Sequence, residues 1–129
     1  MEISVPVSIG ELLDKLSIVE IKKKKILDQD KLKYLSKEYD LLEKKATEIK
    51  NINEEAFNNF YDSLLETNLK LWDIEDDIRE LESLSKFNDD FIKLARDVYI
   101  TNDKRFDIKS EINKFFGSSI IEQKELKEY

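Results

Sequence analysis

FNNFYDSLLETNLKLWDIEDDIREL, residues 57–81, carries apolar side chains at alternating steps of three and four residues. This spacing places them along one face of an α-helix, and the heptad repeat is typical of helices that pack together in bundles and coiled coils. The stretch therefore predicts an all-α fold. The seam consists of Phe57, Phe60, Leu64, Thr67, Leu71, Ile74, Ile78 and Leu81.

Composition narrows the class of protein further. A chain of 129 residues is expected to form a single helical domain, residues 1–129, with one core. Two glycines and one proline leave few turn-forming residues, and 40% of the residues are charged, as in long amphipathic helices. The net charge of −7 disfavours nucleic acid as a partner. Without cysteine or histidine, disulfides and thiol chemistry are excluded, and the commonest general base and zinc ligand are missing.

Targeting segments are not visible in the sequence. The chain does not begin with a basic segment followed by an apolar one, so no signal peptide is predicted. No apolar run approaches the length of a transmembrane helix. We therefore expect a cytoplasmic protein that does not enter a membrane.

The N-terminal part predicts an arm followed by a long helix. MEISVPV, residues 1–7, alternates apolar and polar residues and contains the only proline, which favours a short extended arm. Ser8 and Glu11 have the spacing of a capping box, in which each side chain accepts from the backbone N–H of the other. The first helix is predicted over residues 9–50, with the polar DQDK patch at 28–31 interpreted as a bend within it.

Cap residues set the bounds of two further helices. An NIN triplet breaks the apolar pattern, and a second helix is predicted over residues 54–84. Asn88 is the expected N-cap of a third helix over residues 89–116, and Gly117 is placed to end it. The remaining residues, 118–129, are expected to form a loosely docked tail.

Short connections between long helices make them antiparallel neighbours, so an antiparallel three-helix bundle with coiled-coil hairpins is predicted. The first helix is apolar on more than one side near Ile18 and Ile21. One bundle does not need that much apolar surface, so a homodimer that buries the outer face of this helix is predicted.

Polar side chains line the margins of the apolar seams in two helices. In the second helix they recur at steps of four, three and four residues, which places them on one face. An antiparallel turn brings Arg105 of the third helix opposite Asn68 of the second. Charged groups are rarely buried unless paired, so the two sets either pair with each other or line a cavity. The set comprises Asn68, Trp72, Glu75, Arg79, Asn102, Arg105 and Lys109.

Two interpretations of this set stay open. In a structural network, Glu75 bonds Arg79 or Arg105, and Asn68 fixes the helix register. In a pocket, Arg105 and its neighbours bind an anionic or polyhydroxylated ligand, with Trp72 as a flat wall. The substitution Arg105→Met separates them, because it leaves a pocket protein folded but strands a buried Glu75 in the network.

Carboxylates are dense in DIEDD, residues 73–77, and raise the alternative of a Mg²⁺ site. Glu75 and Asp76 would provide ligands together with Asp103 or Asp107. The chain lacks the paired E-x-x-E and E-x-x-D helices of all-α nucleotide pyrophosphatases, and acidic helix surfaces are usually solvated. We therefore predict no metal and no cofactor.

Three blocks, VPVSIGELLDKLSIVEIK, NLKLWDIEDDIRE and VYITNDKRFDIKSEIN, resemble a family of short, functionally uncharacterised bacterial proteins. The resemblance extends over nearly the whole chain. Members of that family often lie near cell-surface polysaccharide genes, so the resemblance implies a sugar-related role. It directs attention to Asp14, Lys15, Asn68, Trp72, Glu75, Asp76, Arg79, Asn102, Asp103, Arg105 and Lys109.

The leading functional hypothesis is a non-catalytic helical binding protein. Its polar pocket would take a small anionic or sugar-like ligand or a protein partner. One alternative is a small metal-independent enzyme with an interior Arg/Lys/Glu site, by fold-level analogy with the all-α chorismate mutases. The other is a coiled-coil scaffold without a pocket.

Overall fold

The computed structural model describes all 129 residues, and its only regular secondary structure is α-helix. The prediction of an all-α fold is confirmed. The number of helices differs from the predicted three, because the first predicted helix is two separate ones. The four helices are α1 (Ile9–Lys25), α2 (Gln29–Lys50), α3 (Glu54–Ser83) and α4 (Asp89–Phe116).

The break between α1 and α2 corrects the prediction of one helix over residues 9–50. Ile26 has an extended backbone conformation, with ψ at 131°, and ends α1. Asp28 then caps α2, because its carboxylate accepts from the backbone N–H groups of Asp30 and Lys31 at 2.9 and 3.1 Å. Aspartate is among the preferred N-cap residues, so the polar patch ends one helix and starts the next instead of bending a continuous one.

The other predicted helix starts and the predicted stop are largely confirmed. Ser8 Oγ accepts from the backbone N–H of Glu11 at 3.1 Å, and Asn88 caps α4 in the same way through Phe91. The second half of the predicted capping box is wrong, because the Glu11 carboxylate accepts from Lys109 instead. Gly117 follows α4 in the left-handed conformation, with φ at 68°.

One small core joins all four helices. α1 and α2 are antiparallel, since Leu16 shares the core with Ala46 while Lys23, further along α1, lies 4.2 Å from the ring of Tyr39, which is earlier in α2. Burial of these apolar side chains is the main force that holds the helices together. The core residues are Leu13, Leu16, Ala46, Phe57, Leu64 and Ile112.

The start of α1 lies directly against α4 at Gly10. The Gly10 backbone N–H donates to Asn113 Oδ1 at 2.7 Å. A Cβ atom at Gly10 would lie only 2.6 Å from the backbone oxygen of Lys109, so only glycine fits at this crossing. This close approach packs α1 against α4, while α1 also contacts α3, and it positions Asp14, one turn later, inside the bundle.

Both ends of the chain lie outside the helices. Residues 1–7 are exposed and have no regular secondary structure, so the predicted extended arm is not confirmed. The tail, residues 118–129, folds back along α4 as an irregular segment. None of the four helices combines the length and apolar character needed to cross a membrane.

Candidate functional site

A fully buried carboxylate, Asp14 on α1, is the centre of the polar interior. Arg105 Nε donates to Asp14 Oδ1 at 2.9 Å, and Arg105 Nη2 donates to Oδ2 at 2.5 Å. The side chain of Asn68 donates to Asp14 Oδ1 at 2.9 Å. Two-pronged arginine–carboxylate pairs are strong and geometrically specific, so Asp14 ties α1 to both α3 and α4 in one arrangement.

The amide of Asn68 is oriented by two acceptors on α1. Besides Asp14, its Nδ2 donates to Ser17 Oγ at 2.8 Å, and Ser17 Oγ donates to the backbone oxygen of Asp14 at 2.7 Å. Both amide hydrogens of Asn68 are therefore used, while its Oδ1 accepts no hydrogen bond within the protein. Because Asn68 also lines the groove described below, this oxygen is available to a bound donor.

Arg105 links the buried network to the surface. Its side chain retains 29% of its exposure, and its Nη1 has no hydrogen-bond partner in the protein. Hydrogen bonds to Asp14 raise the pKa of Arg105 above its ordinary value, against the opposing effect of burial. Arg105 is therefore a fixed positive charge with one free donating edge.

Lys109, one turn after Arg105 on α4, is buried within a cluster of carboxylates. Its Nζ lies 2.8 Å from Glu11 Oε2, 2.9 Å from Glu122 Oε2 and 3.9 Å from Asp14 Oδ2. Burial by itself lowers the pKa of Lys109, but the bonds to Glu11 and Glu122 and the nearby Asp14 raise it overall. Lys109 is therefore charged and paired on several sides.

An open groove of about 520 Å³ lies between α1, α3 and α4, beside this network. Its wall combines three cations, two carboxylates, two amides and four apolar or aromatic side chains. Its volume falls within the usual range for small-molecule sites. The lining residues are Ile18, Ile21, Lys22, Asn68, Leu71, Trp72, Glu75, Asp76, Arg79, Asn102 and Arg105.

The groove brings together six of the seven residues first singled out from the sequence. Lys109 is the exception, because it is buried and lines a separate cavity of about 150 Å³. Of the secondary candidates, Asp76 lines the groove and Asp14 lies behind it. Lys15 is exposed outside the groove, and Asp103 accepts from the Tyr129 hydroxyl elsewhere on α4.

Of the two partners predicted for Glu75, the structure shows Arg79 and not Arg105. Glu75 lies 3.7 Å from Arg79, which is largely exposed, and the Glu75 side chain is itself half-exposed, so Glu75 is not a buried charge that depends on Arg105. The partner of Arg105 is Asp14, because α1 lies against α4. The prediction considered only how the second and third predicted helices face each other, so it did not include a residue from α1. The network and the groove are therefore both present, and Arg105 belongs to both.

Sequence reasoning missed the part of the groove that α1 contributes. Ile18 and Ile21 were assigned to an outer, dimer-forming face, but Ile18 lines the groove and Ile21 is only 2% exposed. The sequence pattern contained a relevant feature. Gly10, Asp14, Ser17 and Ile21 recur at steps of four, three and four residues, and all four are buried. A carboxylate within such a seam predicts a buried ion pair.

The fold and this site define an all-helical protein with a polar groove built on a buried Asp–Arg pair. The chain belongs to a family of unknown function (DUF6165), whose profile matches residues 3–128. No curated protein and no solved structure shows significant similarity to it. No cluster of three or more acidic side chains has the arrangement of a metal site.

Proposed function

We propose that this chain is a non-catalytic binding protein whose groove between α1, α3 and α4 takes a small, anionic, sugar-like ligand. The proposal rests on how Arg105 is held and on the one nitrogen of its guanidinium that has no partner. Asp14 holds its guanidinium in place, and its unpaired Nη1 edge belongs to a residue that lines a groove of ligand size. A preoriented arginine binds an oxyanion with little further loss of side-chain entropy.

The charges of the groove favour a ligand with a negative group. Lys22, Arg79 and Arg105 face two carboxylates, Glu75 and Asp76. Arg79 and Glu75 already lie 3.7 Å apart as an exposed pair, which leaves Lys22 and Arg105 as the cations without a carboxylate from the groove. A carboxylate or phosphate group on the ligand would complement Arg105, and the Lys22 ammonium can donate a hydrogen bond to a ligand hydroxyl or ring oxygen.

The remaining lining suits the hydroxylated ring of a sugar. Trp72 is half-buried and offers a flat apolar surface, against which the C–H face of a pyranose can pack. Asn68 Oδ1 and the carboxylate of Asp76 can accept hydrogen bonds from hydroxyl groups, and Asn102 can both donate and accept. This chemistry agrees with the sugar-related role that the family resemblance implied.

The homodimer stays a prediction, but the surface that would form it has to be a different one. Ile21 is buried within one chain, so it no longer provides the reason for a homodimer. Exposed apolar side chains occur at other places, including Leu41 on α2 and Phe87 in the α3–α4 turn. Sedimentation at tens of micromolar would show a species of twice the chain mass if the homodimer forms, and a monomer would reject it.

A titration followed by tryptophan fluorescence tests the groove directly, because Trp72 is the only tryptophan. Glucuronate and glucose share a ring and differ in the carboxylate, so they form a matched pair of ligands. We expect glucuronate to change Trp72 emission saturably and glucose to bind more weakly. The Lys22→Met variant should lose about 1.5–3 kcal/mol of glucuronate binding, the usual range for a hydrogen bond to a charged group.

Lys25→Met is the matched control, since Lys25 lies in the same last turn of α1 but is exposed and lines no part of the groove. It should bind glucuronate like the unmodified protein. Equal losses in the two variants would indicate a general charge effect and contradict the assigned role of Lys22.

A further inference from the structure

Beyond Ser118, whose backbone N–H donates to the Asn113 backbone oxygen, the C-terminal tail contacts α4 through side chains alone. Residues 119–129 form no backbone–backbone hydrogen bond with any part of the chain. Glu122 pairs with Lys109, Lys124 lies 4.9 Å from the centre of the Phe106 ring, and the Tyr129 hydroxyl donates to Asp103. A segment held in this way can leave the surface without disturbing a helix.

A small cavity of about 150 Å³ lies between the tail and α4. It shares Asn102 and Arg105 with the groove, so the two spaces meet at these side chains. Its lining is mostly polar and rich in cations. The lining residues are Asn102, Arg105, Phe106, Lys109, Glu122 and Lys124.

Two of these cations are close enough to hold one oxyanion together. Arg105 Nη2 and Lys109 Nζ lie 2.5 and 3.9 Å from the same oxygen of Asp14. In the present arrangement Glu122 provides a second anion at Lys109, at 2.9 Å. Glu122 Oε2 is shielded from solvent, and the Lys109 ammonium is its only polar partner.

We propose that Arg105 and Lys109 form an oxyanion subsite at the inner end of the groove, which Glu122 occupies in the free protein. The carboxylate or phosphate group of the bound ligand replaces the Glu122 carboxylate, and the tail is displaced. This inference rests on the proposed function, because the incoming oxyanion belongs to the ligand of the groove. Lys109 keeps its bond to Glu11 throughout.

The exchange conserves the charge around Lys109, and the tail loses only a few weak contacts. One carboxylate leaves Lys109 as one oxyanion arrives, so no buried cation is left unpaired. A ligand oxyanion can contact Arg105 Nη1 as well as Lys109, whereas Glu122 forms an ion pair with Lys109 only. The other anchors of the tail, at Phe106, Asp103 and Tyr99, are weak surface contacts.

The test uses inorganic phosphate as the probe and the full chain, at constant ionic strength. Binding is followed by NMR through the backbone amides of residues 119–129, whose mobility should rise as phosphate saturates the protein. Glu122→Gln removes the internal competitor while keeping its size. If the tail is displaced in about one free molecule in ten, this variant should bind phosphate roughly tenfold more tightly.

Glu125→Gln is the matched control, because it makes the same charge change in an exposed tail residue that forms no ion pair. It should bind phosphate like the unmodified chain. Unchanged or weaker phosphate binding by Glu122→Gln would overturn the proposal, as would a tail that stays immobile at saturation.

The two proposals can fail separately. If glucuronate changes Trp72 emission but neither it nor phosphate mobilises the tail, the groove function stands and the exchange at Lys109 is wrong. If phosphate mobilises the tail but no saccharide changes Trp72 emission, the subsite stands and the groove function is wrong.

Discussion

Replacement of Arg105 by methionine is expected to lower the free energy of unfolding by about 3–5 kcal/mol, the usual cost of removing one partner of a buried ion pair. The physical reason is Asp14, which is fully buried and receives two hydrogen bonds from Arg105. Without Arg105, this carboxylate keeps only Asn68 as a close donor, with Lys109 at 3.9 Å. Chemical denaturation measures the loss.

Arg96→Met serves as the control, because Arg96 is an exposed residue of the same helix with no ion pair. It should change stability by no more than about 0.5 kcal/mol. If the Arg105 variant proves as stable as the Arg96 variant, Asp14 does not depend on Arg105, and the buried pair is not what holds α1 in place.

The second large effect is expected from Gly10→Ala. The new Cβ would lie 2.6 Å from the Lys109 backbone oxygen and 3.0 Å from Asn113 Oδ1, so α1 must shift away from α4. Overpacking of this kind costs about 1–3 kcal/mol, and we expect the upper end because the closest atom belongs to the backbone. Alanine's better helix propensity offsets only part of this loss.

Gly117→Ala separates packing from backbone strain. A Cβ at Gly117 meets no atom within 4 Å, but its φ of +68° disfavours any side chain, which costs roughly 1–2 kcal/mol. The two variants therefore lose stability for different reasons, and only Gly10→Ala should also disturb the groove. A Gly10 variant of unchanged stability would show that the α1–α4 contact adapts to a larger residue.

The fold could be predicted from the sequence wherever a local pattern determined it. The heptad seam of α3 and the caps at Ser8, Asn88 and Gly117 are local, and the structure agrees with them. The end of α1 was missed because apolar residues continue beyond it without glycine or proline. Asp28 marks a helix boundary because its carboxylate caps the next helix. An aspartate in the sequence does not by itself show that it has this role.

The site could be predicted only in part, because its chemistry depends on which helices meet. The antiparallel register of α3 and α4 correctly brought Asn68 and Arg105 to one site. The acceptor for both, Asp14, comes from α1, whose position depends on the close approach at Gly10. Likewise, the burial of Lys109 depends partly on Glu122 in a tail that has no periodic pattern.

A titration with glucuronate, followed through the side-chain N–H resonances of the groove, tests the central claim most directly. The indole N–H of Trp72 gives a single resonance, the side-chain amide of Asn68 reports on the same helix one turn earlier, and that of Asn102 reports on the wall formed by α4. We expect the resonances of these three side chains to shift together and saturably, while those of the Asn113 amide, outside the groove, stay in place. Shifts confined to exposed residues elsewhere, or none at saturating glucuronate, would contradict the assignment of this groove as a site for anionic, sugar-like ligands.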